Sequence, residues 1–202
     1  NKPETPEPRS KKDKEQLWKT LTSEFFRYDL YGCYSLSERA IDDLDVTLAQ
    51  LKASGVDTKI LLPPIHYTLY EMIWRTGNWD NYKNFVHAVV KTAAKYDIPT
   101  WLSSPYTPFT DMDILKYDYA VDKEFSLQPN YYDPGHANQI INLELLKIAK
   151  GIPTERTDIP SNFATQLTPK NIELELTKLS EQRTSFLSNA PEFLYLVPAK
   201  AE

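Results

Sequence analysis

Glycine is scarce in this chain, with five in 202 residues. They form no glycine-rich phosphate loop, and neither the Walker pattern nor the dinucleotide fingerprint occurs. Nucleotide-dependent chemistry therefore falls well down the order of expectation. Cys33 stands alone, so there is no internal disulfide and no cysteine-based metal site. With nothing nearby to activate it, Cys33 reads as a small buried apolar residue rather than a nucleophile. No apolar run nears the ~20 residues of a membrane span. The longest, Ile60-Leu61-Leu62-Pro63-Pro64-Ile65, is strand-sized. Lys and Arg number 23 against 28 Asp and Glu, a net charge of -5 that gives no broad basic field, and nucleic acid is not the expected partner. Methionine is missing from the first position, which is Asn1. A processed or trimmed chain, or a part of a longer one, is expected on that ground, with any export signal out of view.

What is present points to one α/β domain over residues 15–190, between a lead and a tail. Residues 1–14 are rich in proline and charge without apolar periodicity, the composition of a disordered lead or linker. Residues 191–202 form the tail. A helix is expected from about Lys14, with Leu17, Trp18, Leu21 and Phe25 on one stripe. Residues 28–34 are aromatic and fit either a short strand or an irregular turn. Ser37 is a good N-cap for a helix carrying Ala40, Ile41, Leu44, Leu48 and Leu51, which Gly55 would stop. Residues 58–62 read as a strand closed by Pro63-Pro64. A helix capped by Asn78 follows, expected to bury Tyr82, Phe85, Val86, Val89, Val90 and Ala93, and residues 100–103 make a second strand. This alternation of helix and strand is that of right-handed crossovers in a parallel sheet. Residues 104–132 form a long loop rich in Tyr, Pro and Asp, with a short helix expected at 111–117. Its aromatics would line a sugar or acyl pocket or fill the core, and both readings stay open. Two more helices close the domain. One covers 136–150 and stops at Gly151; the other runs from the Thr168-Pro169 start to about Asn189.

Ligands of open parallel sheets meet the loops at the carboxyl ends of the strands. Two of the three histidines fall there. His66 follows the first strand, and His136 follows the second by way of the long loop; His87 lies mid-helix and reads as a surface or packing residue. The most informative stretch is Asp133-Pro134-Gly135-His136. Its tight turn would bring Asp133 and His136 together at a helix start. The carboxylate would hold one imidazole nitrogen and leave the other as general base. The plainer alternative makes Asp133 a helix cap and His136 a first-turn residue. Ser103 and Ser104 end a strand, where serine commonly makes turns. Asp133, His136, His66 and Asp111 or Asp113 offer carboxylate and imidazole ligands. No two of them share the i, i+4 spacing of a helical metal site, so neither metal nor cofactor is expected.

The stretch from Lys59 to Lys150 resembles the C-terminal half of the SGNH (GDSL-type) hydrolase-like superfamily. The resemblance rests on a strand ending in Pro63, Pro64 and His66, a helix start at Gly77-Asn78-Trp79-Asp80-Asn81-Tyr82, a further strand and loop, and Tyr131-Tyr132-Asp133-Pro134-Gly135-His136 leading into the last helix. It implies a three-layer α/β/α, flavodoxin-like architecture with a parallel sheet, and an esterase or acyltransferase acting on an ester such as an O-acyl group of a carbohydrate or lipid. His136 would be the base, Asp133 its orienting partner, and His66 a rim residue touching substrate. The superfamily's Gly-Asp-Ser and Gly-x-Asn-Asp blocks do not occur. The nucleophile is therefore expected from outside these residues, and an upstream segment, a second chain or residues 28–34 should complete the sheet. The resemblance also suggests export, without fixing a compartment. The alternative function is a non-catalytic α/β interaction module that retains the hydrolase scaffold.

Overall fold

A computed structural model of the protein describes residues 10–25, 35–107, 131–133 and 135–189. In chain order its elements are α1 (Lys11–Phe25), α2 (Glu38–Ala53), β1 (Ile60–Leu62), α3 (Tyr67–Arg75), α4 (Trp79–Ala94), β2 (Thr100–Ser103), β3 (Tyr131–Asp133), β4 (His136–Ala137), α5 (Gln139–Ala149), β5 (Ala164–Leu167) and α6 (Ile172–Asn189). The aromatic stretch 28–34, the short helix expected at 111–117 and the tail at 191–202 lie outside the described residues. The first helix begins at Lys11, ahead of the expected Lys14, because Ser10 caps it: its hydroxyl accepts from the Asp13 N–H at 3.2 Å.

The two expected strands are parallel neighbours. Ile60 stands opposite Thr100, Leu61 opposite Trp101 and Leu62 opposite Leu102. Parallel neighbours need a long crossover, and α3 and α4 supply it. The sheet is not purely parallel. Its order is β1-β2-β5, and β5 runs antiparallel to β2, with Ala164 opposite Ser103 and Leu167 opposite Thr100. The result is a mixed α/β fold around a small three-stranded sheet, in place of the all-parallel sheet expected. β5 was hidden because Ala164-Thr165-Gln166-Leu167 has no apolar run; at an edge only Leu167 needs to be buried.

The strands feed two apolar clusters by alternation. Leu62, Leu102 and Leu167 join Val86 and Val89 of α4 with Leu176 and Leu179 of α6. Leu61, Trp101 and Ala164 pack instead with Trp18 of α1 and Ile141 and Leu145 of α5. A third group, Leu48, Ala93 and Ile98, seats α2 on α4. Beside β1, Leu36, Ile41, Leu44, Phe85 and Val89 border an apolar groove of about 440 Å³.

Caps set where these helices start and stop. Ser37 accepts from the Ala40 N–H at 3.3 Å, and Gly55 ends that helix with φ +69°, a conformation that penalises any Cβ. Before α6, the Thr168 N–H donates to Asn171 Oδ1 at 2.7 Å while the Asn171 N–H donates to Thr168 Oγ1 at 3.3 Å. This reciprocal box makes Thr168 the start that its sequence suggested. Among the described residues no helix is long and apolar enough to cross a membrane.

Candidate functional site

The Asp133–His136 turn is the corner of a hairpin. β3 and β4 pair antiparallel, with Tyr131 opposite Ala137 and Asp133 opposite His136, and an irregularity in the ladder between Tyr131 and Asp133. Only residues 134 and 135 separate the two strands in the sequence. The expectation of His136 in the first turn of a helix is corrected. Ala137 and Asn138 intervene, and α5 begins at Gln139. The cap is Asn138, whose side-chain oxygen accepts from the N–H groups of Ile140 and Ile141 at 2.9 and 3.1 Å. The capping role that the plainer reading gave Asp133 therefore belongs to Asn138.

The hairpin has an inside and an outside. Tyr131 and Ala137 are buried while His136 is exposed. Asn142 of α5 donates to the Ala137 carbonyl at 3.0 Å, tying the hairpin to that helix. The expected bond between the Asp133 carboxylate and the His136 imidazole involves a side chain outside the described residues.

His66 sits beneath this hairpin, not on a rim. It is fully buried, and its ring lies 5.0 Å from the Tyr131 ring, 4.8 Å from Trp18 and 4.2 Å from Tyr67. The reason is local. α3, which sequence periodicity did not reveal, starts immediately after His66, and His66 is its N-cap. Nδ1 accepts from the Thr68 N–H at 3.3 Å and lies 2.9 Å from Thr68 Oγ1, which itself accepts from Trp18 Nε1 at 3.2 Å. With Nδ1 as acceptor the proton resides on Nε2, which has no hydrogen-bond partner among the described residues.

Burial pushes the His66 imidazole down to about 3. The unfolded chain binds a proton there below about pH 6.5, and the native chain does not until about pH 3. The stability His66 contributes is intact above that window and is lost as pH falls through it. Native stability should drop by up to about 1.4 kcal/mol per pH unit more steeply than in His66→Asn, which keeps a capping oxygen without a titrating ring. Urea unfolding across the window measures both slopes. Equal slopes would mean that His66 protonates in the folded state.

His87, expected to be a surface or packing residue, spans α4 and α6 through Nε2, 3.0 Å from Glu173 Oε1. Ser103 Oγ donates to the Leu62 carbonyl at 3.3 Å, and Ser104 Oγ to Gln182 Oε1 at 2.7 Å. Among the described residues no group of three His, Cys, Asp or Glu side chains is placed to hold a metal ion. Asp111 and Asp113 lie outside them, as does the Asp133 side chain.

One polar cluster was not anticipated. Glu71 of α3 is fully buried and accepts two bonds from Arg183 of α6, from Nε and Nη2 at 2.8 Å each, and a third from the Tyr106 hydroxyl at 3.0 Å. The Arg183 guanidinium lies over the Trp74 ring, 4.7 Å from its centroid. Burial, with the Glu71 carboxylate second, pushes the Tyr106 hydroxyl well above its usual range. The neighbouring Tyr70 and Tyr82 hydroxyls share a bond at 2.6 Å, and burial raises Tyr82 to about 12. These groups stay protonated and satisfied, as a structural clasp requires. The only sequence signal was a glutamate set between Tyr70 and Met72. No family model, curated protein or solved structure matches the chain.

Proposed function

We propose that this chain is the acid–base portion of an SGNH-like esterase or acyltransferase, acting on an ester such as an O-acyl group of a carbohydrate or lipid. The observation that carries the reading is the register. Residues opposed across an antiparallel pair have Cβ atoms ~4.5–5.5 Å apart, and Asp133 and His136 are such a pair, with His136 exposed. Asp133 then fixes the imidazole tautomer and supports the imidazolium that forms. His136 takes the proton from a serine hydroxyl as the oxygen attacks the ester carbonyl, and returns it to the departing alcohol. Water or a second alcohol, deprotonated in turn by His136, releases the acyl group, giving hydrolysis or transfer. The serine and the oxyanion donors come from a segment outside these 202 residues, since no Gly-Asp-Ser block occurs in them. The same proposal completes the mixed sheet into a three-layer α/β/α fold; the apolar clusters on alternating strand positions support it.

A second reading, the non-catalytic interaction module, is favoured by the missing nucleophile block and by the apolar groove beside β1. Labelling of the intact gene product with a fluorophosphonate probe separates the two. Labelling that disappears in His136→Ala supports the enzyme. A wild-type protein that takes up no label supports the module and overturns the catalytic reading.

A further inference from the structure

A second polar site lies at the carboxyl end of β2. β2 ends in Ser103 and passes into Ser104; facing them are the turn before β5 and one side of α6. Between them is a half-open cleft of about 210 Å³, room for several waters at ~30 Å³ each. Its wall is mostly polar, whereas ordinary small-molecule pockets are mostly apolar.

The hydrogen bonding of the wall decides what it can hold. Ser104 Oγ accepts from the Tyr106 N–H at 3.3 Å and donates to Gln182 Oε1 at 2.7 Å. The Gln182 carbonyl oxygen is therefore engaged, and its amide N–H groups make no other side-chain bond among the described residues. Ser161, Asn162 and Thr165 complete the rim, and their side chains likewise have no hydrogen-bond partner among the described residues. The charges in the wall cancel, because Lys178 Nζ lies 2.8 Å from Glu175 Oε1. What remains is a set of neutral donors and acceptors converging on one small space, with Ser104 holding Gln182 in a single orientation.

We infer that this cleft binds a small neutral polyol, of the size of one sugar unit. Hydroxyl groups both donate and accept, so they match a wall of amide N–H, amide oxygen and hydroxyl groups, and each can replace an ordered water without loss of bonding. A carboxylate or ammonium ligand gains no net counter-charge from a wall in which Glu175 and Lys178 already neutralise each other. No aromatic residue lines the cleft, so the ring face of a sugar is not what it reads. The inference does not rest on the acyl-transfer reading, because neither Asp133 nor His136 lines the cleft.

The test is saturation-transfer NMR and calorimetry on the full 202-residue chain with glucose, N-acetylglucosamine and ribitol, and with glycine as the charged control. At least one of the three polyols should bind saturably, with Kd on the order of 1 mM, and glycine should not. Gln182→Leu should weaken that binding about tenfold, the loss of one or two directed bonds. Asn162→Ala, at an exposed position with no partner to lose, should weaken it without altering the melting temperature, and so keeps the test valid if Gln182→Leu folds poorly. Saturation by none of the three polyols would overturn the inference. So would tighter binding of glycine, or polyol binding that Asn162→Ala leaves unchanged.

Discussion

Arg183→Ala is expected to cost about 3–5 kcal/mol, the usual result of removing one partner from a buried ion pair. Glu71 has no exposed surface and depends on Arg183 for two of the three hydrogen bonds it accepts. Alanine at 183 leaves that carboxylate with the Tyr106 hydroxyl alone, in an environment that penalises its charge. It also removes the guanidinium from the Trp74 face. For a chain of this size the melting temperature should fall by about 6–20 °C. Removing both partners is a different experiment. Glu71→Leu with Arg183→Met abolishes the buried charge along with its counter-charge and should be far milder than either single change. Urea unfolding of the two single variants and the double variant gives the coupling directly. An Arg183→Ala cost under about 1 kcal/mol would show that the pair behaves like an exposed one.

His136→Ala should reduce ester hydrolysis by the intact gene product by about 10²–10⁴-fold, the usual contribution of a positioned general base. Its melting temperature should stay nearly unchanged, because His136 is exposed and the inward side of the hairpin is held by Tyr131 and Ala137. Asp133→Asn tests the partner. If the carboxylate sets the tautomer and supports the imidazolium, activity should fall by a similar order while substrate affinity changes little. Full activity in His136→Ala with a marked loss of stability would make the pair a hairpin element and nothing more.

Legibility in the sequence followed the range over which each signal acts. β1 and β2 could be read because an apolar run meets a stop within a few residues, and α2 because Ser37, its stripe and Gly55 are all local. α3 left no stripe: Tyr67 through Met72 are all buried, Glu71 included, so no polar face marks a helical period. β5 is an edge strand whose pairing with β2 arises only in three dimensions. The candidate site divides in the same way. The proximity of Asp133 and His136 was legible because only two residues separate them in the sequence. The burial of His66 was not, since it comes from Trp18 and Tyr131, far away in the chain. The Glu71–Arg183 clasp joins residues 112 apart and has no local trace.

Among the described residues β1 closes one end of the three-stranded order, so one side of its backbone is a pairing template. Growth on such a template is how folded domains recruit foreign strands and begin fibrils. Here the template is only three residues long, and Pro63-Pro64 follows at once with no N–H to offer a further rung. An invading strand could gain one or two ladder bonds and then run out of partners. Those two prolines do more than end a strand: they act as a gatekeeper against runaway assembly at the one apolar run of the sequence most suited to it.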